Sequence, residues 1–182
     1  YVWAEVDATA DRVKALGGRI YVEPCDIPGV GRFAVAADPQ GAVFALLSMP
    51  EPPPAASPAM YTPRRIGWHE LYAADWQAVF PFYAELFGWQ KAESFDMGEM
   101  GTYQLFAKDG VTLGGMMTRP PNMPASFWQY YLTVPDIDAA AARVTAGGGR
   151  ILHGPSEVPG GGWIVQALDP QGAAFALLGQ RS

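Results

Sequence analysis

The sequence predicts an α+β fold in which paired βαβββ modules form a curved eight-stranded sheet with the helices outside. Three observations lead there. One segment of the chain occurs twice, each copy reads as strand, helix and three strands, and the segment ahead of the second copy reads the same way. Shifting the chain by 131 residues lays Tyr1–Ser48 over Leu132–Gly179 without a gap, with half the positions identical. GGRI (Gly17–Ile20 over Gly148–Ile151) and DPQGA (Asp38–Ala42 over Asp169–Ala173) are the longest shared stretches. FALL follows each DPQGA, as Phe44–Leu47 and Phe175–Leu178.

The segment ahead of the second copy begins with Ile66–Ala73, whose mixed apolar and aromatic residues suit a strand buried on both faces. Asp75 offers an N-cap, Val79, Phe82, Tyr83 and Leu86 recur at helical spacing, and Gly88 is the stop. Pro81 is an awkward interior residue, because it lacks an N–H and crowds the preceding turn. Trp89–Asp96, Thr102–Lys108 and Val111–Thr118 read as strands, with Asp109–Gly110 a two-residue hairpin turn. The pattern then restarts: a strand at Phe127–Val134, an N-cap at Asp136, a stripe of Ile137, Ala141 and Val144, and a stop at Gly147–Gly149. Strands follow near Arg150–His153, Gly162–Leu168 and Ala173–Gly179, the last two joined by an Asp-Pro-Gln-Gly turn. In the first copy Val6, Ala10 and Val13 hold the helical stripe.

Three regions are expected: residues 1–48, the second half of a first module; residues 49–64, a proline-rich linker; and residues 65–182, a complete second module. Six prolines in MPEPPPAASPAMYTPR make the linker stiff and extended, a spacer rather than a docking ligand. The first module lacks a partner half of its own. A longer native chain is the favoured explanation, and a homodimer is the alternative.

Charge and composition narrow the function. Lys and Arg total 12 against 18 Asp and Glu, a net charge of −6, and only Arg64–Arg65 stand together as a basic pair, so nucleic acid is not an expected partner. No apolar run approaches a membrane span. The single cysteine, Cys25, cannot form an internal disulfide, and no signal peptide opens the chain, so a cytoplasmic location is expected. Cys25 has no histidine near it in sequence and is not read as a nucleophile, and the glycines at Pro159–Gly162 precede a strand, so they read as a hairpin loop.

The βαβββ duplication, the stretch GWHELYAADWQAVFPFYAELFGW (Gly67–Trp89) and the twice-used DPQGA-x-FALL ending resemble the vicinal oxygen chelate superfamily of glyoxalases, bleomycin-resistance proteins and dioxygenases. The resemblance covers nearly the whole chain outside the linker and is nearest to tandem two-module glyoxalase-like bacterial proteins. It implies a concave sheet face where His, Glu or Gln side chains hold one divalent ion. By that resemblance the last-strand glutamate position falls at Ala176, and at Ala45 in the first copy, while a histidine position falls near Gln129. Alanine binds no metal, so no intact metal site and no tightly held cofactor are expected, and a divalent metal is the alternative.

Alternation along the first strand puts Trp68, Glu70 and Tyr72 on the concave face and sends His69, Leu71 and Ala73 toward the helix. Glu70, flanked by aromatics, is the candidate general base, its pKa expected to rise by desolvation. His69 becomes the candidate if the register slips by one residue. Exposure near a strand end is expected for His153. Trp68, Tyr72, Tyr103, Gln129 and Tyr131 are expected to line an aromatic cavity for a small organic molecule. Two functions follow: sequestration of a small molecule, with the acidic balance drawing in a cationic drug, or a metal-dependent lyase, isomerase or dioxygenase completed by residues from a missing N-terminal half.

Overall fold

The computed structural model describes residues 1–51 and 61–181, so most of the expected linker lies outside the described residues. The first copy forms β1 (Val2–Trp3), α1 (Val6–Ala15), β2 (Arg19–Ile27), β3 (Gly31–Ala37) and β4 (Val43–Ser48). Then come β5 (Ile66–Ala73), α2 (Trp76–Phe87), β6 (Gln90–Asp96), β7 (Thr102–Lys108) and β8 (Val111–Thr118). The second copy supplies β9 (Phe127–Asp136), α3 (Ile137–Ala146), β10 (Arg150–Val158), β11 (Gly162–Leu168) and β12 (Ala174–Gln180). The first copy makes a four-stranded sheet in the order β1-β4-β3-β2, and the rest an unclosed eight-stranded sheet in the order β10-β11-β12-β9-β5-β8-β7-β6. In both copies the strand before the helix lies parallel to the last strand, β1 with β4 and β9 with β12. This is the α+β fold of βαβββ modules expected from the repeat.

Local chemistry explains the boundaries. The Asp75 carboxylate accepts from the backbone N–H groups of Gln77 and Ala78, at 2.9 and 3.1 Å, and Gly88 ends α2 in the left-handed conformation at φ 70°. Pro81 sits inside α2. Both it and Gln77, whose carbonyl the missing N–H would have met, lie on the exposed face, where water can serve that carbonyl. The turn between β7 and β8 has positive φ at both Asp109 and Gly110, as a type I′ hairpin requires. The strand expected near Arg150–His153 runs on to Val158, past an irregularity in its pairing with β11.

The chain divides into two compact units: Tyr1–Ala55 with Glu70–Trp128, and Ala56–His69 with Gln129–Ser182. In the first, the stripe Val6, Ala10 and Val13 is buried, and one apolar core joins it to Phe44, Leu46, Leu71, Ala73 and the aromatic face of α2. Phe44 lies within 6.2 Å, centroid to centroid, of Phe82, Tyr83 and Phe87. The first copy is thus packed against α2. The Tyr83 hydroxyl donates to Asp38 Oδ2 at 2.9 Å, Gln40 exchanges two hydrogen bonds with the Asp75 backbone, and Arg12 pairs with Glu85 at 2.6 Å. Gly18 is held to glycine by space: a Cβ there would stand 2.7 Å from the Ala37 carbonyl and 3.0 Å from the Phe82 ring.

In the second unit α3 covers one sheet face, burying Ile137 and Ala140 against Val165, Ala167 and Leu177, with Ala141 and Val144 partly covered. Ala140 therefore joins the stripe read from the sequence. The opposite face carries a separate cluster of Tyr131, Ala176 and Leu178, against which Tyr61, Trp68 and Ile164 pack.

Candidate functional site

Strand β5 has the register that alternation implied. Leu71 and Ala73 are fully buried in the core that contains α2, while Trp68 packs in the cluster on the face opposite α3. The candidates from the sequence divide between the two units.

In the first unit, Glu70 is 7% exposed. Tyr72 stacks on Phe127 with centroids 5.1 Å apart and planes 18° apart, a contact that fixes both rings. Tyr103 lies across the backbone of Gly115 on the neighbouring strand β8, where an added Cβ would strike its ring and hydroxyl. Gly115 is therefore a seat for an aromatic ring.

In the second unit, His69 meets the ring of Tyr130 edge-on, 5.8 Å between centroids at 87°. Tyr130 keeps 39% of its surface exposed, and its partial desolvation pushes the phenol pKa up. Gln129 is half-buried and its amide donates to the Tyr130 carbonyl at 3.2 Å. Tyr131 is 1% exposed, and its hydroxyl accepts from Gln166 Nε2 at 2.8 Å. Ala176 pairs in register with Tyr131 and is fully buried. Where the resemblance puts a carboxylate, a methyl group packs beside a phenol ring. The second unit therefore brings Trp68 and Tyr131 together, and places His69 in a ring contact with Tyr130.

Gln166 was not singled out from the sequence, although two signals pointed to it. The alternation of Trp163–Leu168 turns it away from α3, and it replaces Val35 of the first copy within the closely similar repeat. Phe127 was missed because it looked like ordinary strand material. Tyr61 was missed because it stands at the end of a segment read as a spacer.

A divalent ion needs several hard or borderline donors converging on one point. Among the described residues no three His, Cys, Asp or Glu side chains are grouped to hold one. Within the second unit, the named polar groups on the face opposite α3 are the Tyr131 phenol and the Gln166 and Gln129 amides. These residues do not fit the ion that the fold's resemblance implies. An amide and a phenol on an apolar floor offer hydrogen-bonding points without charge.

Comparison with known proteins agrees with this fold. "Putative glyoxylase CFP32" of Mycobacterium tuberculosis is 30% identical over 175 residues, 96% of this chain and 66% of that protein. "Anthracycline biosynthesis protein DnrV" of Streptomyces peucetius is 31% identical over 176 residues, 96% of this chain and 62% of its own length. The chain thus spans just under two thirds of these relatives. Among solved structures, the Mn(II)-bound glyoxalase from Novosphingobium aromaticivorans superposes with a TM-score of 0.67 at 19% identity, covering 97% of this chain and 59% of that one. The 2,3-dioxygenase LapB from Pseudomonas sp. KL28 gives 0.61 at 14% identity, covering 97% and 68%. The profile of one family matches residues 65–177, more than half of the sequence, and the chain belongs to it: the Glyoxalase/Bleomycin resistance protein/Dioxygenase superfamily.

Proposed function

We propose that this chain binds a small, partly apolar organic molecule on the sheet face opposite α3, with no tightly held metal ion required. One observation carries the reading. At Ala176 the ligand position of the resemblance is an alanine, and the adjacent Tyr131 instead holds its hydroxyl against the Gln166 amide at 2.8 Å. A part-buried phenol–amide pair beside Trp68 and Leu178 offers stacking area and hydrogen-bonding points, the usual anatomy of a small-molecule site. The relatives named for anthracycline biosynthesis support a ligand with flat aromatic character. The acidic balance, net −6, favours a cationic one.

The test is a thermal-shift panel of aromatic drugs and metabolites alongside elemental analysis of the purified protein. A ligand at about 100 times its Kd adds roughly 2.7 kcal/mol of stability. Stoichiometric metal, with no stabilising ligand in the panel, overturns the reading.

A second reading is favoured by the likeness to a Mn(II)-bound glyoxalase. In it the protein is a metal-dependent lyase, isomerase or dioxygenase, Glu70 or His69 moves the proton, and further ligands come from sequence outside these residues. Glu70→Gln then abolishes turnover, whereas the binding reading leaves ligand affinity in the second unit unchanged.

A further inference from the structure

The face opposite α3 already has an occupant from its own chain. Tyr61 packs against the cluster of Tyr131, Ala176 and Leu178, beside Trp68 and Ile164. Its hydroxyl rests on the backbone of Gly162, so closely that an added Cβ at Gly162 would collide with it. Residues 162, 164 and 166 share one face of β11, the face that carries Ile164 and the Gln166 amide, so Tyr61 lies on the surface assigned above to the ligand.

Backbone geometry delivers it there. Arg64 has φ 64°, a left-handed conformation uncommon outside glycine, asparagine and aspartate. Its N–H donates to the Thr133 carbonyl at 3.0 Å, while Thr133 N–H donates to the Arg65 carbonyl at 2.8 Å. Two consecutive residues thus oppose one on β9, a bulge that turns the chain just before β5 begins. A non-glycine residue held at positive φ implies that surrounding contacts over-determine it. Tyr61 stands three residues before this bulge.

We propose that Tyr61 is a tethered competitor for the ligand site, and that the ligand class is a phenol-sized hydroxyaromatic ring. The proposal rests on the binding reading above and deepens it. The occupant sets the class: the cluster of Tyr131, Ala176 and Leu178 accepts a phenol ring, with the hydroxyl close over the backbone of Gly162. A free ligand of the same chemistry must displace Tyr61, so its affinity is lowered by the fraction of time the tether is seated.

The experiment is titration of p-cresol into the wild-type chain, Tyr61→Ala and Tyr61→Phe, followed by calorimetry and by NMR shifts of the Tyr131 and Gln166 side chains. Tyr61→Ala is expected to bind at least about tenfold more tightly than wild type, with the same residues perturbed. Equal or weaker affinity in Tyr61→Ala overturns the tether while leaving the binding reading in place. Absence of p-cresol binding in every variant, with another panel compound perturbing Tyr131 and Gln166, overturns the ligand class. If no compound perturbs them, the binding reading falls as well. A readout independent of ligand checks the seat: Gly162→Ala lowers the melting temperature of wild type more than that of Tyr61→Ala, where only the Leu178 side chain stands close. An equal drop in both backgrounds overturns the seating of Tyr61.

Discussion

Replacing Tyr83 with Phe removes a single oxygen from the centre of the first unit and leaves the ring packing intact. Asp38 and Trp128 both reach that oxygen. It donates to Asp38 Oδ2 at 2.9 Å and accepts from Trp128 Nε1 at 3.0 Å, while Tyr83 and Asp38 are 1% and 2% exposed. A hydrogen bond to a charged group contributes about 1.5–3 kcal/mol, and leaving the partly buried Trp128 indole N–H without this acceptor costs up to about 1–3 kcal/mol more. Partial rescue by water reduces the sum, so a loss of about 3 kcal/mol is expected, a large share of the roughly 5–15 kcal/mol typical of a domain. The loss depends on pH. Burial raises the Asp38 pKa against the hydrogen bonds from Ala42, Tyr83 and Gln40, which lower it. The folded state therefore holds this proton more tightly than the unfolded chain does. The contribution of Asp38 to stability falls as pH climbs from the ordinary aspartate value through the raised one, and is flat beyond. Removing the Tyr83 donor raises that pKa further, so the Tyr83→Phe deficit grows over the same climb and is smaller in acid. Urea denaturation of wild type, Tyr83→Phe, Asp38→Asn and the double variant measures the coupling, expected at about 1.5 kcal/mol near neutral pH. A coupling below about 0.5 kcal/mol, or a deficit that does not change with pH, would refute the role given to this pair.

Other substitutions test other parts of the structure. Gly115→Ala should cost about 1–3 kcal/mol by overpacking against Tyr103, and much less in a Tyr103→Ala background, as melting curves of the four proteins would show. Ser126→Ala should raise stability by about 1 kcal/mol, because its hydroxyl is buried with no hydrogen-bond partner among the described residues. At the contact between the first copy and α2, Phe44→Ala should cost about 3–5 kcal/mol in denaturant unfolding. Arg12→Ala, which breaks an ion pair whose side chains are 53% and 58% exposed, should cost under about 1 kcal/mol in the same assay.

Much of the fold could be read from the residues because each local signal agreed with its neighbours. Asp75 and Gly88 bound α2, Asp109–Gly110 turns the hairpin, and the repeat transfers the reading of one copy to the other. The alternation of β5 was legible for the same reason, since Leu71 and Ala73 needed the core beneath α2. Long-range partnership was not legible. Nothing local to DPQG says that Asp38 meets a tyrosine 45 residues away, or that Phe44 completes the aromatic face of α2. Nor does sequence spacing reveal that Tyr61 turns back onto a sheet, because that depends on the conformation of Arg64 and on the bare backbone at Gly162.

The two DPQGA turns are chemically the same object in unequal surroundings. Asp169 closes its turn by accepting from Gln171 and Ala173 and stays partly open to water, whereas Asp38 makes the matching bonds and is also sealed beneath Tyr83. Duplication therefore did not double the chain's tolerance to change. An exchange costs more at the earlier locus than at its twin, because there it also breaks the bond from Tyr83.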